Sequence, residues 1–454
     1  MTRRALLLLL MPLALWCDNV DVPLDSPLYA QLERLASLGA LQEPLPVMKP
    51  YNTAELAALV ESIDAARFAP LKKELRQELG RYETSGPIEA RGVLYGSDKE
   101  EAPVPNAEGT LLKKGASLYA DARLQLLNRK IGIVFTPQYR DDAQNRNDLQ
   151  VGDFYARYRW KNLNVTAGRE ALWMGSGKEG TLLLSNHAKS LDMLRLSSAR
   201  PFAFHPYHHP LLNRILGKME LELFLGRMHR QRGIERGDGS RHDGNPKLLG
   251  LLWTIRPFSS MSLGIYHTAM FGGGGREENF ETLWKISPPF NGNDTLADQK
   301  SGITAEWYLP NRRQPLKLYG EWAKNGGNGG EESYIAGILL SDTAHIKGLQ
   351  TSYEHLRLAT APHSWYSGKI YTQGYTNNAL TMGYPAPPRS SRDTLRLTYV
   401  IGVKSTYSAA WIHENDKETL HLEARYRIDT HSETVLSAHT GPNLLGFVSF
   451  KWMF

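Results

Sequence analysis

The last ten residues, Leu445 to Phe454, restrict the fold more than any other stretch. Gly446, Val448, Phe450, Trp452 and Phe454 fall at every second position, with Ser449 and Lys451 between them. A period of two is a strand with one apolar face. On a soluble edge strand, an exposed Phe-X-Trp-X-Phe stripe would pair or aggregate. A strand with lipid on one side and a wet lumen on the other carries this pattern. We read the segment as the closing strand of a transmembrane β-barrel; a buried edge strand of a soluble β-protein is the other reading.

The opposite end agrees. Arg3 and Arg4 precede Leu6–Leu10, Met11, Pro12, Leu13, Ala14, Leu15 and Trp16. A short basic start and a brief apolar run form an export signal, and the run is too short to span a bilayer as a helix. Residues 1–17 read as that signal, and cleavage after Cys17 leaves Asp18-Asn19-Val20. Trp16 stands where a lipobox needs a small residue, which argues against lipidation of Cys17. Cys17 is the one cysteine, so the mature chain has no disulfide despite export.

No later stretch approaches 18 apolar residues, so no transmembrane helix is expected. Hydrophobic residues make up 41% while aromatics reach 10%. An export signal with strands and no spanning helix leaves a soluble exported β-protein or a barrel. The formal charge of +6 falls to +4 when Arg3 and Arg4 leave with the signal. That is too weak to argue for nucleic acid; it permits an acidic partner.

Residues 18–86 read as a small helical bundle, a periplasmic plug. Pro27 begins a helix after Ser26, with Leu28, Leu32, Leu35 and Leu38 on one face and Gly39 past its end. A second helix starts at Asn52, with Glu55 closing a capping box and Leu56, Leu59, Val60 and Ile63 inward. A third is expected from about Phe68 to Tyr82, with Leu71, Leu75 and Leu79 inward.

Residues 87–454 read as the barrel. Alternating segments are expected near 91–97, 117–127, 131–139, 151–159, 163–169, 191–199, 217–227, 247–256, 262–270, 301–309, 316–323, 333–341, 348–357, 395–403, 406–412, 419–428, 433–440 and 445–454, eighteen antiparallel strands in all. Long and short connections alternate, as in barrels with short periplasmic turns and long outer loops. The exception is 200–216, long on the short side. Tyr155, Tyr158, Trp160, Trp253, Trp307, Tyr308, Tyr319, Trp322, Trp411 and Trp452 sit at strand ends. They read mainly as interface girdles, although such rings also stack on sugars.

The most unusual segment is Gly168 to Ala188. Gly175, Gly177 and Gly180 permit tight turns. Lys178 follows Gly177 without the spacing of a Walker loop. We expect a loop in or over the pore, with Arg169, Glu170, Lys178 and Glu179 pairing inside the lumen. Gly168-Arg169-Glu170, Trp173, Gly175, Gly177, Gly180, Leu183-Leu184-Ser185 and Asn186 resemble the signature of the Wzi family of capsule-assembly outer-membrane proteins. Val22-Pro23-Leu24-Asp25-Ser26 with Tyr29 and Leu32-Glu33-Arg34-Leu35 is similar to the family's opening helix. Leu221–Gly226 and Leu263–Arg276 are similar to later family segments. The resemblance covers nearly the whole mature chain. It implies an eighteen-stranded barrel with a periplasmic helical bundle, in the outer membrane of a Gram-negative bacterium. It also implies a lectin-like role that holds exported capsular or extracellular polysaccharide at the cell surface. A porin or export channel is the alternative.

Candidate ligand residues lie on three outer loops. Arg227, Arg230, Arg232 and Arg236, with His229, Arg241 and His242, crowd one loop, and Arg matches carboxylates and phosphates bidentately. Phe280, Trp284 and Phe290 lie on the next. Trp365, Tyr366, Tyr371, Tyr375 and Tyr384 lie on 358–394. The bland alternatives are a solvated loop offset by Glu235, Asp238 and Asp243, and rings that cap the barrel mouth. Candidate partners are the polysaccharide, outer-membrane lipid with lipopolysaccharide, and polysaccharide export machinery. Residues 205–209, His-Pro-Tyr-His-His, could ligate a metal but read better as a polar turn. Ser185, His187 and Asp192 are near in sequence, yet nothing orients them as a triad. No catalytic residue, metal or cofactor is expected.

Overall fold

Backbone groups in lipid find no water, so strands that cross a bilayer must pair on both edges. The chain meets this condition with a closed barrel of eighteen strands. The structure, a computed structural model, describes residues 19–83, 88–128, 130–144, 147–204, 209–287, 295–311, 313–326, 332–362, 365–429, 432–441 and 444–453. The expected signal 1–17, His205–His208, Phe290 and Phe454 lie outside the described residues.

In chain order the barrel strands are β1 Glu89–Ser97, β2 Gly115–Leu127, β3 Ile131–Asp141, β4 Asp148–Trp160, β5 Leu163–Arg169, β6 Asp192–Ser198, β7 Lys218–Arg227, β8 Lys247–Phe258 and β9 Met261–Phe271. They continue as β10 Ala297–Leu309, β11 Leu316–Asn325, β12 Glu332–Ser341, β13 Leu349–Arg357, β14 Ser391–Ile401, β15 Ser405–Glu414, β16 Lys417–Arg427, β17 Ser432–Thr440 and β18 Leu445–Met453. Each strand pairs antiparallel with the next. β18 closes the ring on β1, with Glu89 opposite Met453 and Ser97 opposite Leu445. All eighteen expected segments are strands; β10 and β14 begin earlier, at Ala297 and Ser391.

Alternation sorts the two faces. In β10, Ile303 and Trp307 are exposed outward, whereas Thr304 and Glu306 are buried in the lumen. In β18, Phe450 and Trp452 face out; Ser449 is buried, and Lys451 reaches Glu89 and Asp25. Tyr158, Trp160, Trp322 and Trp411 also stand on the outer face. The same period corrects three of the girdle assignments. Tyr155, Tyr308 and Tyr319 sit one residue off the outer face and are buried inside, where a phenol needs a partner. Tyr155 accepts from the Asp21 backbone N–H at 3.1 Å, and Tyr308 donates to Glu306 at 2.8 Å.

Three helices lie at the short-turn end: α1 Leu28–Ser37, α2 Thr53–Glu61 and α3 Ala65–Gly80. Leu32, Leu35, Leu56, Leu59, Leu75 and Leu79 form their core, together with Tyr308 and Val403 from the barrel. Gly39 ends α1 with φ +68°, a conformation that glycine adopts without strain. Asn52 caps α2 by accepting from the Ala54 N–H. Glu55 does not complete the expected capping box; its carboxylate takes a charge-assisted bond from Arg256 on β8 instead. α3 starts earlier than expected because Asp64 caps Ala66. It kinks at Phe68, since Pro70 removes one N–H and crowds the preceding turn. Arg34 grips Asp342 in the β12–β13 turn at 2.6 and 2.8 Å, and Arg427 grips Glu78 at 2.7 and 2.9 Å. In the long 199–217 connection, a fourth helix spans Pro210–Leu216.

Replacing Ile303 by Arg puts a charge at mid-height on the outer face. It should cost about 2–4 kcal/mol in guanidinium unfolding of the protein folded in liposomes, whereas Thr343→Arg on a short turn should change little.

Candidate functional site

The connection 170–191 enters the lumen, and its backbone is held by carboxylates projecting from the wall. Glu321 on β11 accepts from the Gly177 N–H at 2.8 Å, the Leu182 N–H at 2.9 Å and the Tyr266 hydroxyl at 3.2 Å. Glu354 on β13 accepts from the Lys178 N–H at 2.6 Å and the Tyr384 hydroxyl at 2.8 Å. Gly175 adopts φ +150°, and a Cβ there would strike the Glu321 carboxylate. The glycines therefore let a backbone settle directly on a buried acid. Lys178 extends toward the helices and pairs with Glu33 of α1 at 3.2 Å. Glu179 makes a two-bond pair with Arg396 on β14, at 2.6 and 2.7 Å. Burial opposes the charge of Glu179, but the Arg396 guanidinium outweighs it and lowers the carboxyl to about 2.

The expected pairings of this segment are thus made with other elements rather than among its own residues. Arg169 points to Asp192 at 2.7 Å on the rim. Glu170 turns inward to Arg157 at 3.1 Å and Arg195 at 2.8 Å. Both guanidinium groups also hold Asp21, at 2.5 and 3.1 Å. Glu222 on β7 accepts two further bonds from Arg195, at 2.9 and 3.0 Å, so three acids share two buried guanidinium groups. Burial pushes against ionisation of Asp21, yet the Arg157 charge and hydrogen bond keep it well below the carboxylate range. Burial, with the Asp21 charge beside it, lifts Glu170 to about 8. Trp173 pairs its backbone with Lys49, in a two-residue bridge to the helical segment, and its indole donates to the Gly177 carbonyl. Asn186 donates to the Asn106 carbonyl at 3.3 Å, joining the segment to loop 98–114.

Loop 358–390 completes the filling. Trp365 and Tyr366, expected as ligand contacts, are 0% and 1% exposed. They pack with Leu182, Leu183, Tyr375, Met382 and Tyr384, and Tyr366 donates to the Leu182 carbonyl at 2.9 Å. Here the rings cap the barrel; they offer no face to a ligand. Tyr371 and Tyr375 are buried too.

The remaining candidates stay at the surface of the long-loop end. Residues Gln231–Glu235 and Arg241–Gly244 form a small hairpin. Arg227, Arg230 and Arg232 are exposed, and Arg236 is half-buried. Arg230 and Arg241 meet Asp243 and Glu235, whereas Arg236 donates to the Gly275 carbonyl of the neighbouring loop. That loop carries a fifth helix, Phe280–Ile286, capped by Asn279. Phe280 and Trp284 project from it, 79% and 57% exposed. The arginine-bearing hairpin therefore touches the loop that carries the exposed aromatic helix.

Not all of the lumen is filled. Against β1–β4 and β14–β18 lies a cavity of about 680 Å³, lined by charged and polar side chains together with apolar ones such as Val93, Ile412, Val435 and Phe447.

Ser185 and His187 do not form a relay. Ser185 Oγ donates to the Gly383 carbonyl, and Asp192 is engaged by Arg169. Burial, with the Arg392 charge nearby, lowers His187 to about 4. His209 occupies the N-cap position of the fourth helix, and its side chain makes no capping bond. Among the described residues no cluster of His, Cys, Asp or Glu has the arrangement of a metal site. The residues that hold the filling, namely Asp21, Arg157, Arg195, Glu321 and Glu354, escaped the sequence reading. Each is one polar residue on an inward strand face or in an extended leader. Their only signal is a charge at a lumen position.

The arrangement defines a class: a plugged eighteen-stranded β-barrel with a basic, ring-bearing rim at its long-loop end. The family model described as capsule assembly protein Wzi matches residues 87–431, and the chain belongs to this family. The Escherichia coli Wzi structure, described as an outer-membrane, carbohydrate-binding β-barrel involved in group 1 capsule assembly, superposes with a TM-score of 0.78. It is 14% identical, with 96% of this chain and 99% of that one covered. An uncharacterized 55.8 kDa protein in the cps region of Klebsiella pneumoniae is 22% identical over 213 residues, 45% of this chain and 38% of that relative's length. The Acinetobacter baumannii OccAB2 structure matches at a TM-score of 0.50 and 8% identity, covering 81% of this chain and 97% of that one.

Two outcomes follow. Glu321→Ala leaves the Gly177 and Leu182 N–H groups unpaired. It should raise protease cleavage within 175–185 several-fold while strand content by circular dichroism is kept. The Glu179–Arg396 pair is fully present above the ordinary carboxylate value of 4.5 and is lost as pH falls toward 2. Acidification through that window should increase the same cleavage, read with an acid-active protease, and Glu179→Gln should abolish this pH step.

Proposed function

We propose that this protein lies in the outer membrane of a Gram-negative bacterium and holds exported capsular or extracellular polysaccharide at the cell surface. The observation that carries the proposal is the pairing of a basic hairpin with an exposed aromatic helix, above a lumen occupied by its own loops. Membership in the capsule-assembly family supports it, as does the likeness to a barrel described as carbohydrate-binding. The helical bundle then lies in the periplasm, and outer-membrane lipid with lipopolysaccharide surrounds the apolar outer face. Polysaccharide export machinery is a further candidate partner.

Arg227, Arg230 and Arg232 would meet carboxylates or other anionic groups on the polymer, and Phe280 and Trp284 would stack on sugar faces. Each contact is weak alone. A polymer presents the same group repeatedly, so retention comes from many engagements at once. The porin or export-channel reading meets a physical obstacle, because loops 170–191 and 358–390 pack across much of the lumen.

Deleting the gene should leave total exported polymer unchanged and move most of it from the cells into the medium. Restoring the gene with Arg230, Arg232 and Trp284 replaced by Glu, Glu and Ala should fail to return it to the cells, with normal protein level in the membrane. Normal attachment in the deletion strain would overturn the proposal. In planar bilayers the wild-type protein should show no steady steps of porin size.

A further inference from the structure

The 680 Å³ hollow is built as more than a gap. Its volume falls within the ~300–1,000 Å³ of ordinary ligand pockets. Its lining runs from Asp25 at the helical end to Lys99, Pro103, Pro387 and Lys417 at the long-loop end, where these four are solvent-exposed. The mouth therefore opens on the same end of the barrel as the basic hairpin.

The lining has two properties that select a ligand. First, its charges cancel locally. Arg396 is held by Glu179, Arg91 by Asp121 at 2.6 Å, and Lys451 by Glu89 at 2.5 Å. Eleven Asp and Glu residues stand beside nine Lys and Arg residues on the lining, so a polyanion meets no surplus of positive charge here, unlike at the outer hairpin. Second, several buried polar atoms on the lining lack a partner. They are Asn106 Oδ1, Asn186 Oδ1, Thr136 Oγ1, Arg123 Nε and Arg392 Nε. A buried polar atom left unpaired costs about 1–3 kcal/mol, so each calls for water or a ligand. The set mixes acceptors with donors, as hydroxyl groups require, since each hydroxyl both gives and receives a hydrogen bond. Tyr95 and Phe447, with ring centroids 5.4 Å apart, supply an apolar wall beside them. Thr136 lies where β3 breaks register with β4, between Phe135 and Pro137, so an irregular strand carries one of these unpaired atoms.

We propose that this hollow is a second saccharide site, one that takes an uncharged, hydroxyl-rich stretch or end of a glycan entering between loops 98–114 and 385–390. The inference rests on the carbohydrate-binding reading above and adds to it a site inside the barrel. The outer rim then grips the charged part of a polymer, and the hollow receives an uncharged part.

The test uses the full mature protein in detergent, produced without residues 1–17 and therefore without Cys17, and carrying Ser449→Cys on β18. Ser449 is small, buried and part of the lining. The rate of labelling by an uncharged thiol reagent is measured with and without short neutral oligosaccharides. These come from the host's own exported polysaccharide, partially hydrolysed and freed of acidic fragments by anion exchange. Well above the dissociation constant, labelling should slow about tenfold, because only the empty fraction reacts. Thr136→Trp, which fills the hollow, should weaken oligosaccharide binding measured by calorimetry while the protein keeps its heat-modifiable migration. Unchanged labelling by a protein that still binds the intact polymer would overturn the inner site and leave the surface reading standing. A cysteine that no reagent reaches would show that the hollow has no mouth, and would overturn it equally. Failure to bind either oligosaccharide or polymer would overturn both.

Discussion

Closure of the barrel, made by Glu89–Ser97 against Leu445–Met453, is the constraint on which the rest of the structure depends. Open edges in lipid would leave a full ladder of N–H and C=O groups unpaired, at several kcal/mol for each group. Once the ring is closed, every residue of every strand faces either lipid or lumen. The apolar faces that end in Phe450 and Trp452 are then satisfied by the bilayer. The inner faces carry charges that lipid could never accept. Those charges must be answered inside, and the loops and leader answer them.

That requirement explains why the filling is polar at its anchors and apolar at its centre. Glu321, Glu354, Arg157, Arg195 and Arg396 reach in from the wall, and backbone N–H groups or opposite charges meet them. Above these anchors Leu182, Leu183, Trp365, Tyr366 and Tyr384 pack against one another. A buried ion pair is weak evidence for net stability, because desolvation offsets the attraction. Removing one partner of the Asp21–Arg157–Glu170–Arg195 set is another matter, since it strands a charge. The set thus specifies where the leader and the 170–191 segment sit. The same logic joins barrel to helices, through Lys178 with Glu33 and Arg34 with Asp342.

The strands were legible because period two is unambiguous when one face is lipid; the closing strand could be read from Phe450, Ser449 and Lys451 alone. Helix starts were legible where a side chain caps, as at Asn52. They were misplaced where tertiary contacts took the side chain, as with Glu55 and Arg256, or where an unnoticed cap extended the helix, as with Asp64. The candidate rings divided. Trp284 and Phe280 stayed outside, whereas Trp365 and Tyr366 went in, and the sequence treats these two loops alike. Composition cannot separate a ring that caps from a ring that binds, because both need an aromatic on a glycine-rich loop. The hollow was invisible for a further reason: its lining comes from nine strands at the two ends of the barrel sequence, together with the leader and loop 98–114, and no one of these segments shows a cavity by itself.

The central claim is that the long-loop rim retains a polymer while the filled barrel serves as its mount. Its most direct measurement is equilibrium binding of the host's purified polysaccharide to the protein in nanodiscs, followed across salt concentration. The account predicts saturable binding that weakens as salt rises, since Arg-to-anion contacts at an exposed rim are screened. It also predicts that replacing Arg227, Arg230 and Arg232 by Glu removes most of that salt dependence together with most of the affinity. Absence of binding by the wild-type protein at low salt would contradict the account.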